Sequence, residues 1–356
     1  MSELINQSYG TCHAVFVWSI GQLVNLKRAQ LLLGESEELP RFEQFRRFPE
    51  WFAYNPPPLR SILPIVPLQL GDHRTTSAAE LTIYDFGSIS VSFFIPLKSS
   101  LKEIVGLAES LYDNNTLRIF SRELVQSVTE LIGDAIMKPT LSDVVEDYLI
   151  YKLRPDLDET SLSSFIESHR MKLAQIIRGD STVLADSEVI TALETKTSYG
   201  KEDLAIIDWN AAILFGEQID DIRTVLEFAT VRLLEMRYLD SQLDRSLDRF
   251  YLAFSKQKGH KTSLHAIGQL QVDSAVAFED ARNALKILGD HYLAGVYSLA
   301  AHRLHLTDWE QGIRRKLEVL ESIYQKLSHE RAERRMALLE IIIILLIALS
   351  IVLGIH

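Results

Sequence analysis

Cysteine is almost absent from this sequence, because only Cys12 among its 356 residues is a cysteine. A single thiol excludes an internal disulfide, and it also excludes a zinc site built from several thiolates. No lysine or arginine precedes Lys27, and Glu3 lies near the start, so the first residues lack the basic character of a signal peptide or a mitochondrial presequence. These absences predict a protein of a reducing, cytosolic-type compartment.

The common catalytic signatures are missing as well. The sequence contains no Walker A loop, no G-x-G-x-x-G stretch, no G-x-S-x-G nucleophile elbow and no C-x-x-C pair. We therefore predict no catalytic residue, no cofactor-binding residue and no metal ligand, and we expect no cofactor. This pattern favours a binding or scaffolding component over an enzyme.

Two groups of side chains nevertheless have spacings at which a helix could present metal ligands. They are His302 and His305 with Asp308, and Asp240, Asp244 and Asp248. The first group is more typical of a solvated helix surface. The second lies beside several arginines, which favours a salt-bridged face between packed helices, because residues three or four apart on a helix meet. A membrane-associated enzyme with a metal-dependent site is the alternative function that these groups leave open.

Charge is distributed unevenly along the chain. Residues 1–216 contain 19 basic and 29 acidic residues, whereas residues 217–356 contain 18 basic and 19 acidic ones. Proteins bind nucleic acid mainly by neutralising phosphates with lysine and arginine. The acidic first part therefore predicts that the chain does not bind nucleic acid directly and non-specifically.

The first predicted domain, residues 1–216, has the mixed pattern of an α+β module. The stretches CHAVFVWSI (12–20) and DVVEDYLIYKL (143–153) are typical of strands, and residues 79–97 predict two strands that meet near Gly87. Helical patterns separate these strands, and strand and helix patterns recur in two loosely similar sets. Ferredoxin-like repeats are one candidate arrangement of this module.

The second predicted domain, residues 217–335, is a region of long helices. The stretch 217–255 contains neither glycine nor proline, and its apolar residues recur every three or four positions. A second helical pattern covers 263–306. A third begins near Thr307 and has a coiled-coil seam, whose apolar members are Ile313, Leu317, Leu320, Tyr324 and Leu327. The seam predicts packing against the other helices of the same chain or against a second copy of the chain.

The third predicted domain, residues 336–356, is apolar enough for a C-terminal transmembrane helix. Residues 341–355 carry no charge, and twelve of these fifteen are Ile, Leu or Val. At −0.3 to −0.6 kcal/mol each, they favour membrane insertion by roughly 4 to 7 kcal/mol, which exceeds the cost of one charge near the headgroups at Glu340. Starting the span at Met336 gives about the 20 residues that a bilayer crossing needs.

Three arginines precede the apolar run: Arg331, Arg334 and Arg335. Basic residues next to a span remain on the cytoplasmic side. We therefore expect these arginines to flank the membrane, and we expect a single-pass, tail-anchored protein with a cytoplasmic N-terminus, in a bacterial inner membrane. The lipid bilayer would then be the partner of residues 336–356.

Several stretches, taken in order, resemble the RMD1/RMND1 family, which is also called the DUF155 domain. They are YDFGSISVSFFIP (84–96), DYLIYKL (147–153), DWNAAILFG (208–216), LEFATVRLLEMRYLDSQLDRSLDRFY (226–251) and LEVLESIYQKLSHERAERRMALLEIIIILLIALSIVLG (317–354). The similarity covers most of the chain from about residue 80, and the ordered set is more specific than any single motif. The chain differs from the mitochondrial members of that family because it lacks a presequence.

The resemblance implies a link to translation, since mitochondrial members of that family are connected with holding ribosomes at a membrane. No catalytic residue is established for the family, so the resemblance assigns none to this chain. Our function hypothesis is a non-enzymatic, tail-anchored scaffold that presents its α+β module to a cytoplasmic protein or ribonucleoprotein such as the ribosome. A homo-oligomer formed through the seam is a further expectation.

Overall fold

The structure is a computed structural model in which two compact units are distinguished. It describes residues 10–35, 45–46, 56–97, 100–155, 161–201, 203–216, 219–255 and 290–354. Unit 1 comprises residues 1–238 and 281–307, and unit 2 comprises residues 239–280 and 308–356. The domain boundaries that the sequence predicts after residues 216 and 335 stay predictions.

One large sheet organises unit 1. The strands of the described residues are β1 (Gly10–Ser19), β2 (Leu23–Val24), β3 (Phe45–Arg46), β4 (Leu59–Pro64), β5 (Gln69–Leu70), β6 (His73–Arg74), β7 (Ala78–Ile83), β8 (Ser88–Leu97), β9 (Ile136–Met137), β10 (Val145–Leu153), β11 (Lys196–Thr197), β12 (Leu204–Ile207) and β13 (Ala211–Phe215). Nine of them form the sheet in the order β11-β12-β13-β10-β1-β8-β7-β4-β3, and β2–β9 and β5–β6 form two short ribbons. All neighbours in the large sheet are antiparallel except β10 and β13.

The helices of the described residues flank this sheet or continue beyond it. They are α1 (Leu26–Glu35), α2 (Leu101–Leu111), α3 (Asn115–Leu131), α4 (Leu162–Ser168), α5 (Arg170–Arg178), α6 (Asp186–Glu194), α7 (Asp220–Ser255), α8 (His291–Arg303) and α9 (Leu306–Gly354), with one 3₁₀ turn at Gly133–Ala135. Local capping explains several starts: the side chains of Ser100, Asn114 and Asp290 accept hydrogen bonds from backbone amides in the first turns of α2, α3 and α8.

Strand β1 is the centre of the sheet and is buried on both faces. It pairs along its whole length with β8 on one side and β10 on the other. Its alternate side chains enter two separate cores, with Phe16 and Trp18 on the first face and Val15 and Val17 on the second. A nearly continuous apolar run is what a strand covered on both faces requires.

Different helices cover the two faces of the sheet. Helices α1 to α6 contribute apolar side chains to the core on the first face, together with the strand residues that alternate with Val15 and Val17. Helix α7 contributes Ile222, Val225 and Phe228 to the core on the second face, where α8 adds its own apolar residues. The second face is therefore closed by a helix that follows the sheet in sequence.

The turn between β7 and β8 requires glycine. Gly87 has a φ of +87°, and a Cβ atom at this position would lie 2.2 Å from the carbonyl oxygen of Gly21. The turn also packs onto the chain after β1, because the amide of Ile20 donates a hydrogen bond to the carbonyl of Gly87 at 2.8 Å. Both the backbone conformation and the close approach exclude a side chain here.

Unit 2 contains the last part of α7 and most of α9, and these helices pack through apolar and ionic contacts. Leu243 of α7 is completely buried, as are Ile313 and Leu320 of α9. The ammonium of Lys316 lies 2.6 Å from a carboxylate oxygen of Asp240 and 2.7 Å from one of Asp244. This pairing places the beginning of the α9 seam beside α7 of the same chain.

The predicted C-terminal transmembrane helix is wrong. Among the residues that the structure describes, no helix combines the length and apolarity needed to cross a bilayer. Residues 336–354 belong to the single helix α9, which also carries charged residues up to Glu340.

This finding also corrects the predicted fold class and localisation. The structure shows a mixed α/β architecture with one continuous sheet. It does not support an α+β module of ferredoxin-like repeats followed by a transmembrane helix. The predicted tail-anchored, single-pass placement in a bacterial inner membrane is contradicted by the same finding. Individual elements are confirmed, because β1, β10 and α7 lie where the sequence predicts them. The part of the predicted helical pattern at 263–306 that precedes residue 290 lies outside the described residues.

Substitution of Gly87 tests the turn that joins β7 to β8. We expect Gly87→Ala to lower the free energy of unfolding by about 3 kcal/mol, because the new Cβ meets a backbone oxygen and the left-handed conformation is strained. Urea unfolding followed by circular dichroism measures the change. Gly34→Ala is the matched control, since a Cβ there meets no heavy atom within 4 Å, and it should change the free energy by less than about 1 kcal/mol. Equal effects of both substitutions would contradict the assignment.

Candidate functional site

Polar side chains line one part of the second sheet face. In the strand register, Arg60 lies opposite Thr82 and Thr82 lies opposite Ser90, so the three side chains form one row on the same face. Glu80 and Ser92 form the neighbouring row. These side chains belong to β4, β7 and β8, and all are at least nine-tenths buried. A polar row that is shielded from water must find its partners within the protein.

Helix α7 supplies the partners. Arg223 lies one turn before Glu227, and its Nη1 is 2.8 Å from Oε1 of Glu80 and 3.6 Å from Oε2 of Glu227. The guanidinium of Arg60 is 3.7 Å from Glu80 and 3.5 Å from Glu227. The hydroxyl of Ser90 donates a hydrogen bond to Glu227. We call Arg60, Glu80, Arg223 and Glu227 the buried ionic cluster.

The buried ionic cluster is balanced in charge, with two guanidinium groups and two carboxylates. The exposed fractions of its four side chains range from 1% to 8%, so water does not screen their interactions. Burial by itself would lower the pKa of Arg223, but Glu80 and Glu227 outweigh it and raise that pKa. The cluster is therefore a charge-balanced network in which each side chain depends on the others for its partners.

Two neutral titratable groups border the buried ionic cluster. Burial lowers the pKa of His13 well below its usual value, and the charges of Arg223 and Lys152 lower it further. Burial raises the pKa of Tyr84 well above its usual value, and Glu227 adds to this effect. An uncharged imidazole and an uncharged phenol thus lie next to the cluster at neutral pH.

A second ionic site lies at the turn between β12 and β13. Asp208 is completely buried, and one of its oxygens is 2.7 Å from Nη1 of Arg178 at the end of α5. Arg303 of α8 pairs with the other oxygen, and that oxygen also accepts a hydrogen bond from the amide of Trp209 at 2.9 Å. The hydroxyl of Tyr148 lies 2.8 Å from the carbonyl oxygen of Asp208. One carboxylate therefore fixes the turn to two helices.

The Asp208 turn presents an aromatic side chain to solvent. The indole of Trp209 is 46% exposed, and the ring of Tyr112, which follows α2, is 49% exposed. Their centroids are 6.3 Å apart and their planes meet at 87°, which is the edge-to-face geometry that aromatic pairs favour. We call Tyr112 and Trp209 the aromatic surface. The two rings are accessible at the surface, whereas Asp208, which precedes Trp209, is completely buried.

Comparison with known proteins identifies a family. The sequence profile described as "Uncharacterized protein MJ0711, N-terminal domain" matches residues 9–221. The chain belongs to this family. It is also 27% identical over 248 residues to the protein named "Uncharacterized protein MJ0711" of Methanocaldococcus jannaschii, an alignment that covers 65% of this chain and 74% of that protein. No solved structure matches the chain significantly.

The family region contains most of the two ionic sites. Arg60 and Glu80 of the buried ionic cluster lie within residues 9–221, as do Asp208 and both members of the aromatic surface. The helix members of the buried ionic cluster follow immediately after this region, on α7. Helix α7, which covers the second face of the sheet, thus begins at the last residues that the family profile matches.

The structure brings part of the predicted seam together. Ile313 and Leu320 are buried, and Leu317 and Tyr324 are half-buried, as a packed seam requires. The side chain of Leu327 lies outside the described ones, as do those of Arg331 and Arg334. Arg335 is exposed. The membrane-flanking role of the three arginines was inferred from a transmembrane helix that the described residues do not show.

The two possible groups of metal ligands are not supported. Within the described ranges, no group of three or more His, Cys, Asp or Glu side chains is placed to hold a metal ion. His302 belongs to α8, whereas His305 lies in the break before α9 with a φ of +53°, so the two do not share one regular helix. Asp240 and Asp244 form ion pairs with Lys316, which agrees with the salt-bridged face that the spacing favoured.

Sequence reasoning missed both ionic sites. Ser88, Ser90 and Ser92 alternate with the apolar residues of β8, and this alternation was the available signal for a polar row. A second signal was the pair Arg223 and Glu227, which lie one turn apart among the buried apolar residues near the start of α7. Neither signal shows which strand faces which helix, so neither identifies the partners.

A third buried carboxylate lies on β10. Glu146 pairs with Arg237 of α7 at 2.5 Å, and its side chain is 8% exposed while that of Arg237 is 44% exposed. Burial raises the pKa of Glu146 to about 7, although Arg237 opposes this effect. Its protonation therefore changes near neutral pH.

Removal of Arg223 tests the mutual dependence within the buried ionic cluster. We expect Arg223→Met to lower the free energy of unfolding by about 3 to 5 kcal/mol, because buried Glu80 loses its nearest cation and buried Glu227 loses one of its two. Urea unfolding measures the change. Arg170→Met, which removes an exposed pair with Glu167, is the control and should cost less than about 1 kcal/mol. Adding Glu80→Gln to Arg223→Met should recover part of the loss, and a simple sum of two losses would contradict the network.

Glu146 gives unit 1 a pH dependence with a defined sign. Between its usual pKa of 4.5 and its folded pKa of about 7, the folded state holds a proton that the unfolded state has lost. Its contribution to stability is therefore present below pH 4.5 and is lost as the pH rises to 7. We expect wild type to lose about 2 to 3 kcal/mol more than Glu146→Gln between pH 4.5 and pH 7.5 in urea unfolding. Glu130→Gln, at an exposed position, should leave the pH dependence of wild type unchanged.

Proposed function

We propose that the chain is a non-enzymatic scaffold that assembles through α9 and presents unit 1 to a protein or ribonucleoprotein partner. The observation that carries this proposal is the exposed apolar end of α9. Between Met336 and Leu349, eleven large apolar side chains are each 50% to 64% exposed. Monomeric soluble proteins rarely expose an apolar patch above a few hundred Å², and a larger one marks an interaction site.

The described part of helix α7 does not extend to this end. The contact of Lys316 with Asp240 and Asp244 fixes where the two helices meet in unit 2. From Asp244 to Ser255, the last described residue of α7, there are eleven residues, or about 16 Å of helix. This part of α7 therefore lies beside α9 as far as about residue 330, before the apolar end that starts at Met336.

A second copy of the chain is the partner that this helix fits best. The exposed residues surround the helix on every side, which suits a bundle of several like helices rather than a single flat contact. The apolar end also continues the seam that begins with Ile313, so one helix would pack within the chain first and between chains afterwards. The exposed apolar area, on the order of 1,000 Å², meets what one side of a stable interface buries.

The chemistry of unit 1 supports a scaffold rather than an active centre. The charged groups of the buried ionic cluster are bound to one another and to Ser90, and those at Asp208 are bound to the turn and its two helices. Such groups position helices against strands. The aromatic surface, in contrast, is accessible, and tryptophan and tyrosine are enriched among residues that dominate binding interfaces.

The resemblance to the RMD1/RMND1 (DUF155) family suggests the partner. It rests on the stretches quoted above, among them DWNAAILFG, which contains the Asp208 turn. Members of that family are linked to translation, so we propose that the presented partner is a ribosome or a protein associated with it. The acidic character of unit 1 suits a basic protein component better than exposed RNA.

Sedimentation of the full chain tests this function. We expect wild type alone to sediment as an oligomer, and to pellet with purified bacterial ribosomes in the same rotor. The triple substitution Ile342→Gln, Leu346→Gln and Leu349→Gln should give a monomer, because it places polar groups along the exposed apolar end. The matched control is Glu318→Gln, Glu321→Gln and Gln325→Glu on exposed positions of the same helix, which should remain oligomeric.

Each outcome bears on a separate part of the proposal. A wild-type chain that sediments as a monomer would overturn assembly through α9, and so would recruitment of that monomer to phosphatidylglycerol vesicles. An oligomer that stays in the supernatant while ribosomes pellet would overturn the translation partner.

A further inference from the structure

We propose that the aromatic surface, Tyr112 and Trp209, is the docking site for a lysine- and arginine-rich segment of a partner protein. This inference rests on the proposed scaffold function and names the chemistry of the partner that unit 1 binds. It is carried by three observations: two exposed aromatic rings, a rigid support beneath them and two carboxylates near them.

The rings are held in place by buried or glycine-dependent contacts. Gly179, which ends α5 with a φ of +62°, lies so close to Tyr112 that a Cβ atom there would be 3.2 Å from the tyrosine side chain. Trp209 is held through its amide by Asp208, whose other oxygen is bound by Arg178. The backbone segments that carry the two rings are thus fixed, so a partner would not have to order a loop when it binds.

The edge-to-face arrangement leaves ring area open to solvent. Because the planes of Tyr112 and Trp209 meet at 87°, the rings do not cover each other as a stacked pair would. About half of each side chain is accessible. The faces of tryptophan and tyrosine carry negative quadrupole charge, and they attract ammonium and guanidinium groups.

Two carboxylates lie near the Tyr112 side of the aromatic surface. Glu109 lies three residues before Tyr112 and accepts a hydrogen bond from the hydroxyl of Ser181 at 2.8 Å, which places it beside the end of α5. Asp180 follows Gly179, and a hydrogen bond from the amide of Thr182 lowers its pKa, so it is ionised at neutral pH. These two groups add an anionic rim to the aromatic surface.

The anionic character of the rim comes from Glu109 and Asp180. The other carboxylates close to them in sequence or through the Asp208 turn are Asp113, Glu188 and Asp208, and these pair with Arg118, Arg178 and Arg303. A phosphate backbone would be repelled, whereas a basic polypeptide would be attracted and oriented by this rim.

Fluorescence anisotropy with a labelled nona-arginine peptide tests the site on the full chain. We expect saturable binding that weakens as salt is added. Trp209→Ala should weaken it by about tenfold, whereas Trp209→Phe should retain most of the affinity, because phenylalanine keeps an aromatic face. Glu109→Gln with Asp180→Asn should weaken binding and reduce its dependence on salt, because two rim charges are removed.

Matched substitutions elsewhere separate this site from general attraction to an acidic protein. Tyr199→Ala removes an aromatic ring that is 83% exposed and contacts Tyr292, and it should leave the affinity unchanged. Glu318→Gln with Glu321→Gln removes the same charge from α9 and should also have no effect. Thermal unfolding of each variant confirms that the fold is retained, and Tyr112→Leu provides a second removal of an aromatic ring.

Several results would overturn the inference. One is an affinity for the peptide that is the same in wild type, Trp209→Ala and Tyr112→Leu. Another is tighter binding of a nona-glutamate peptide or of a uridine 15-mer at the same surface. The triple-glutamine α9 variant should bind the peptide as wild type does. A wild-type chain that sediments as a monomer and still binds the peptide would contradict the proposed assembly and leave the docking site standing.

Discussion

The ion pairing of two arginines and two glutamates between the sheet and α7 is the interaction on which the second face of unit 1 depends. Arg60 and Glu80 come from the sheet, and Arg223 and Glu227 come from the helix. Removing four charges from water is costly, and the pairing offsets this cost only while the geometry is kept. A small rotation of α7 would separate Arg223 from Glu80 and leave both charged and buried.

This constraint explains why an apolar core alone would not be sufficient on this face. Ile222, Val225 and Phe228 of α7 pack against the sheet, but apolar contacts tolerate sliding and rotation of a helix. The buried ionic cluster tolerates neither, because its partners are specific atoms at 2.8 to 3.7 Å. We interpret the cluster as the feature that selects one orientation of α7, and the apolar residues as the main source of its stability.

The sequence predicts local elements better than their pairing, for physical reasons that particular residues illustrate. The continuous apolar run of β1 predicts a strand, and the glycine-free run of α7 predicts a helix. Ser90 and Glu227 are 137 residues apart, and nothing in either segment indicates that they meet. The sequence predicts a break between its second and third helical patterns near residues 306–307, and the structure has this break at Leu304 and His305.

The apolar tail shows where composition alone misleads. Its hydropathy suggested an anchor, yet no helix of the described residues is long and apolar enough to cross a bilayer. The tail belongs to the 49-residue helix α9, which begins with the buried Leu306 and carries charges as far as Glu340.

Rigidity links the buried ionic sites to binding. An exposed tryptophan on a mobile loop would lose conformational freedom on binding, and that loss opposes association. Trp209 instead belongs to a turn whose Asp208 is bound by helices on both sides of the sheet, because Arg178 ends α5 on the first face and Arg303 ends α8 on the second. One buried carboxylate thus connects the helical layers on both faces of the sheet to an exposed ring. Binding of a partner at this ring therefore depends on the packing of the interior.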